Sequence, residues 1–287
     1  MYVKDGTSTL KRVLTCPPTF LKKAAPINEI SKLHPEPLDS ELLASEYQRV
    51  LDAYEEAGVK VEKLTPDASM TNSIFARDFG GCVKEGYILG RFKKELRFSE
   101  RKAYEDKMKE LGIPKIAEVE DGYFEGGDFA FLRENVIAVG MLDRTDEKGF
   151  ETIKNALEPL GYEVHPVSAD PRYLHLDMCF NLVDENLAVA YLDGLPDDFK
   201  ALLKRLEIEV IEVPKDAIFH HGCNLESLGD HRVLSLKQNA EVNQKLREHG
   251  MDVIELDVVE TLKAGGGPHC MTFPLARGRS WCFRRNS

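Results

Sequence analysis

The sequence repeats itself. An amphipathic helix pattern, a short alternating strand and two apolar runs split by a turn recur with a period of about 50 residues. In the first instance, DSELLASEYQRVLDAYEEAG carries Leu42, Leu43, Tyr47, Val50, Leu51 and Tyr54 at helical spacing and stops at Gly58. VKVEKL then alternates like a strand, and SIFARDFGGCV and GYILGRF form a hairpin about KEG. Further helices are predicted over 99–111, 147–160, 197–206 and 239–249, each followed by a strand (KIAEVE, EVHPVS, EVIEV, MDVIELD). Hairpins are predicted about REN, DEN and Asp230, and a last strand, CMTFPLA, begins at Cys270. Five such units would close into a ring. Equivalent loops would then point at one axis, and residues far apart in sequence would meet there. A doubly wound open sheet also alternates strands and helices, but purely parallel sheets contain no hairpins. No Pro/Gly/Ser-rich linker interrupts the pattern, so residues 1–287 are expected to form one α/β domain.

Composition excludes several classes of function. With 43% hydrophobic and 30% charged residues the chain reads as globular. A net charge of −11 disfavours nucleic acid, which calls for Lys and Arg, and suits a cationic ligand. No run of 18 apolar residues marks a membrane span, and MYVKDGTSTLKRV lacks the apolar core of a signal peptide. The six cysteines, at 16, 82, 179, 223, 270 and 282, form no C-x-x-C pair, so free thiols in a reducing cytoplasm are the expectation.

Chemistry gathers at one phase of the repeat. The hairpin openings carry Asn72, Arg77 and Asp78; Glu125 and Asp128 around two glycines; His175 and Asp177; and His221, Cys223 and Asn224. Three glycines precede Cys270, which predicts a close backbone approach rather than a smooth strand. Strand alternation puts His175 and Asp177 on one face, and His269 on the face opposite Cys270. If the loops converge, a thiol, an imidazole and three or four carboxylates share one site. Such buried negative charge needs a cation. A metal is one candidate, but neither H-E-x-x-H nor C-x-x-C spacing is present. A guanidinium, whose planar fork matches carboxylates two hydrogen bonds at a time, is the favoured one.

FARDF, FEGGD, LHLD and GGGPHCMTFPLAR, in that order, resemble the guanidine-modifying superfamily: arginine deiminases, dimethylarginine dimethylaminohydrolases, amidinotransferases and relatives. The resemblance spans roughly residues 12–277. It implies a five-bladed α/β propeller (pentein) of pseudo-fivefold ββαβ-type units, with no cofactor and no metal. Carried over by residue, it implies Cys270 as nucleophile, His175 as general acid and base, and Glu125 as the carboxylate beside them. It implies Asp78 and Asp177 as the pair gripping the guanidinium, Arg144 on a substrate α-carboxylate and Arg91 as a helper. Asp128 is read either as a binding residue or as a cap for backbone donors, and Asn224 as a loop-shaping residue or a ligand contact. A histidine pKa of about 6.5 would suit both proton transfers. The resemblance implies a cysteine-dependent hydrolase of an arginine-like guanidine, unsubstituted rather than dimethylated. An amidinotransferase, a dimethylarginine hydrolase and a non-catalytic binder of a cationic amino acid are the alternatives. The sequence does not fix the oligomeric state, so a homo-oligomer stays open.

Overall fold

The computed structural model describes residues 2–22 and 29–278; Cys282, expected above as a free thiol, lies outside them. Among the described residues the strands fall into five three-stranded sheets. These are β1 (Leu10–Thr15) with β2 (Lys60–Lys63); β3 (Gly80–Val83), β4 (Gly86–Leu89) and β5 (Lys115–Glu118); β6 (Phe129–Arg133), β7 (Val136–Met141) and β8 (Glu163–Ser168). They continue with β9 (Phe180–Asp184), β10 (Leu187–Ala190) and β11 (Glu209–Glu212); then β12 (Glu226–Gly229), β13 (Arg232–Leu236) and β14 (Asp252–Leu256). The last strand, β15 (Phe273–Arg277), returns to the start of the chain and pairs antiparallel with β1. Every sheet has the same order: a middle strand, an antiparallel partner and a parallel one.

The parallel pairs need crossovers, and helices supply them. After the short α1 (Glu29–Leu33), the crossovers are α2 (Ser40–Glu56), α3 (Phe98–Glu110), α4 (Glu147–Leu157) and α5 (Asp197–Arg205). The short α6 (Lys215–Ile218) precedes the fifth crossover, α7 (Ala240–Glu248), and α8 (Glu260–Ala264) leads into the glycine triplet. α1, α6 and α8 were not foreseen; each is too short to show a periodicity. α2 illustrates the local logic. Asp39 caps its first turn by accepting from the amides of Glu41 and Leu42, each at 3.0 Å. Leu43, Tyr47, Val50, Leu51 and Tyr54 form its buried stripe, each contributing roughly 1.5–3 kcal/mol on burial. Leu42, counted above in the apolar pattern, is exposed.

The structure corrects the hairpin openings. The apolar runs were expected to be strand throughout, but each sheet is entered through a tight turn: Ala76–Phe79, Gly126–Asp128 and Leu176–Met178 are single 3₁₀ turns. The same turn bond appears in every unit. The amides of Asp78, Asp128, Met178, Asn224 and Thr272 donate to the carbonyls of Phe75, Glu125, His175, His221 and His269, at 3.3, 3.1, 3.2, 3.1 and 3.1 Å. Cys270 therefore lies in a turn, and its strand begins only at Phe273. β6 packs beside β9, β9 beside β12 and β12 beside β1. A cavity of about 60 Å³ is lined by residues of β3, β6, β9, β12 and β15, by Val3 and Gly6, and by turn residues that include Arg77, Asp177 and His269. No helix among the described residues is long and apolar enough to cross a membrane.

Candidate active site

The five entry turns, some of whose residues line that cavity, bring their side chains together. Glu125 and His175, the first residues of the second and third turns, meet at 3.0 Å between Oε2 and Nε2, both fully buried. The imidazole Nδ1 stands 3.8 Å from Oδ1 of Asp78. Gly127 is required beneath the ring: a Cβ there would lie 2.6 Å from Nδ1. Burial alone would strip the proton from His175, but Asp78, its bond to Glu125, and Asp128 outweigh burial and raise the imidazole to about 10. These carboxylates favour an imidazolium over the neutral ring, above the ordinary histidine value of about 6.5 expected from the sequence. Burial also opposes ionisation of Glu125, yet Arg144, His175 and Arg97 together hold it down at about 2.

Asp78 is anchored by a residue the sequence reading missed. Arg97 is fully buried, stacks 4.2 Å from the Phe92 ring centroid, and donates to Oδ2 of Asp78 at 2.5 Å and to Glu100 Oε2 at 2.8 Å. Oδ1 of Asp78 is buried with no hydrogen-bond partner. Burial raises the Asp78 pKa despite His175 and Arg97.

Asp177 has the same half-used design. Its Oδ2 accepts from His269 Nδ1 at 2.9 Å and Asn224 Nδ2 at 3.3 Å, and Cys270 Sγ lies 3.6 Å away. Its Oδ1 is buried and unpartnered. Burial opposes its ionisation, but His269, His175 and Arg77 hold its pKa below the ordinary value. Asn224 clamps the cysteine turn: Oδ1 accepts from the amides of Gly267 and Cys270 at 3.1 and 3.2 Å, and Nδ2 donates to Cys270 Sγ at 3.0 Å. The thiol is buried, and burial, Asp177 and Asp78 all push its pKa well up, which favours the neutral form.

Asp128 and Arg144 brace the cluster. Asp128 is scaffold: Oδ2 accepts from Thr145 Oγ1 at 2.7 Å and Oδ1 from the amide of Leu176 at 2.9 Å, which fixes the turn carrying His175. Burial lifts its carboxyl to about 7. Arg144, expected on a substrate carboxylate, is buried and engaged with Glu125 at 3.3 Å and Asp143 at 2.7 Å. Arg91 lies outside the cluster, its guanidinium on the carbonyl of Glu120 and 5.4 Å from the Tyr123 ring centroid. His269 does not turn away from Cys270, because the two share a turn rather than a strand. One signal could have found it: Phe75, Glu125, His175, His221 and His269 hold the same place in their turns. Arg97 gave no such signal, since an arginine entering a polar helix reads as solvated. His221, also at this place, is buried and held neutral by burial, its pKa near 4.

Ligand atoms of Asp78, Glu125 and His175 lie within 4.8 Å of one another, a donor set that would accept a small divalent ion. The proton on His175 and the guanidiniums of Arg97 and Arg144 beside these carboxylates compete with such an ion. No metal chemistry is assigned here.

These elements define a buried thiol–imidazolium site walled by carboxylates, the constellation of a guanidine-modifying enzyme. The family profile described as N,N dimethylarginine dimethylhydrolase, eukaryotic, matches residues 17–277, and the chain belongs to that family of hydrolases acting on C–N bonds of linear amidines. Among relatives, the uncharacterized protein YkgA of Bacillus subtilis is 31% identical over 94% of this chain and 93% of its own. An N(G),N(G)-dimethylarginine dimethylaminohydrolase of Mycobacterium tuberculosis is 25% identical over 94% of this chain and 87% of its own. The same fold is seen in the N-terminal domain of the cyanobacterial arginine dihydrolase ArgZ, with a TM-score of 0.84, 22% identity, and 93% and 98% of the two chains covered.

Proposed function

We propose that the protein is a cysteine-dependent hydrolase of an arginine-like guanidine whose terminal nitrogens are unsubstituted, and that its five sheets close as the blades of a propeller around the site. The carrying observation is the pair of buried oxygens without a hydrogen bond, Asp78 Oδ1 and Asp177 Oδ1, on carboxylates whose other oxygens are already held, with the His175 ring 3.8 Å from the first. A buried acceptor without a partner costs about 1–3 kcal/mol, and a planar cation between these two would satisfy both.

The cation also activates the nucleophile. Its positive charge offsets Asp78 and Asp177 and lowers the pKa of Cys270, whose proton leaves to solvent. The thiolate adds to the guanidinium carbon. His175, already an imidazolium, gives its proton to the departing nitrogen, and ammonia leaves a covalent amidino-thioether. Now neutral, His175 takes a proton from water, which attacks the same carbon. The C–S bond breaks, the sulfur regains a proton and a citrulline-type product forms. Glu125 keeps the ring oriented through both transfers.

One observation favours a second reading, hydrolysis of N,N-dimethylarginine: the description of the matching family. Incubation with L-arginine and with dimethylarginine, with and without an amine acceptor, followed by product mass analysis, separates the readings. Citrulline with ammonia supports the first, and citrulline with dimethylamine the second. A new guanidine on the acceptor, or no product from either substrate, overturns hydrolysis.

A further inference from the structure

The two half-used carboxylates are anchored differently. Asp78 is held by Arg97, a buried guanidinium that is always charged. Asp177 is held by an imidazole that also lines the axial cavity. We propose that His269 is a specificity-determining positioning residue: by holding Oδ2 of Asp177 it keeps Oδ1 free for the substrate guanidinium, and so sets substrate affinity. This rests on the reading of the site given above.

Three observations carry it. His269 is the first residue of its entry turn, the place that Glu125 and His175 hold in theirs, so its inward direction is built into the repeat. Its Nδ1 stands 2.9 Å from Oδ2 of Asp177, closer than either other group on that atom, Asn224 Nδ2 at 3.3 Å and Cys270 Sγ at 3.6 Å. The turn itself is fixed from outside the site: Arg77 donates to the His269 carbonyl at 3.3 Å and to Glu226 at 2.7 Å, and the Arg77 amide donates to the Cys270 carbonyl at 3.0 Å. Without the imidazole, only Asn224 and the thiol remain on Oδ2. The carboxylate is then free to rotate and to offer both oxygens to the thiol side, where it no longer meets the guanidinium squarely.

The test compares His269→Asn, which keeps a donor near the position of Nδ1, with His269→Leu, which keeps bulk and loses the donor. For turnover of L-arginine, His269→Leu is expected to raise KM about 10- to 100-fold, the size of a lost hydrogen bond to a charged group, with kcat within about threefold. His269→Asn is expected to restore KM to within about threefold of wild type. Direct titration of L-arginine into Cys270→Ser, with and without His269→Leu, reads the same loss without catalysis. An unchanged KM in His269→Leu, a fall in kcat alone, or equal damage from Asn and Leu overturns the inference while leaving the hydrolase reading intact. Failure of the wild-type protein to bind or turn over any guanidine overturns both.

Discussion

Asp78 and Asp128 lie fifty residues apart, at the same place in the same kind of turn, and both are buried. They do opposite work. Asp128 has both oxygens taken, by a threonine hydroxyl and by the backbone of the turn that presents His175. Asp78 has one oxygen fixed by Arg97 and one left over. Neither burial nor position separates scaffold from binding residue here. The unfilled hydrogen-bonding capacity of Asp78 is what supports the proposal that it binds, because buried polar groups are as a rule hydrogen-bonded.

The sharpest way to break the contrast is to neutralise each carboxylate in turn. Asp78→Asn is expected to lower kcat/KM about 10³-fold, as when one member of a desolvated charge pair is lost. If its kinetics match wild type, Asp78 is not a binding residue. Next in size is Gly127→Ala. The added Cβ would fall 2.6 Å from His175 Nδ1 and push the ring off Glu125. Steady-state kinetics should show kcat down about 10²-fold with KM nearly unchanged.

Asp128→Asn should act on stability instead, leaving kcat/KM within about tenfold. Its signature is in the pH dependence. Asp128 is raised from 3.8 to about 7, so the folded state holds a proton that the unfolded state has lost between those values. Its contribution therefore weakens stability as pH rises from 3.8 toward 7. Thermal melts across that range should be flatter for Asp128→Asn than for wild type; parallel curves would show that the carboxyl is ionised in the fold. His175 adds a second window. Raised from 6.5 to about 10, it stabilises fully below pH 6.5, and that share is lost as pH climbs through 10. The smallest effect is expected from Thr145→Val, which leaves Asp128 Oδ2 without its hydroxyl donor. Calorimetry should find a loss of about 1–3 kcal/mol and nearly normal turnover.

The repeat was legible because amphipathic helices and hairpin turns leave strong periodic marks, and the five crossover helices fall within a few residues of their expected places. The entry turns were not. An apolar stretch such as IFARDFGGCV satisfies a strand pattern whether or not its first residues extend, and only the tertiary placement of the backbone decides. That single misreading sent His269 to the wrong face. His175, Glu125, Asp177 and Cys270 could be picked out because carboxylates, imidazoles and thiols are unusual beside apolar runs. Arg97 could not, since its significance lies in partners across the fold and a stacking ring. Arg144 was noticed for its motif, while its pairing with Glu125 was not legible.

The account depends most on a guanidinium turning a neutral, buried Cys270 into a nucleophile. The direct test is to mix enzyme with L-arginine, quench in acid within the first turnover, and map the modified peptide by mass spectrometry. A single amidino group on Cys270, absent from Cys270→Ser, is the expected result. Ammonia release with no adduct on that residue, or an adduct on any other cysteine, would contradict it.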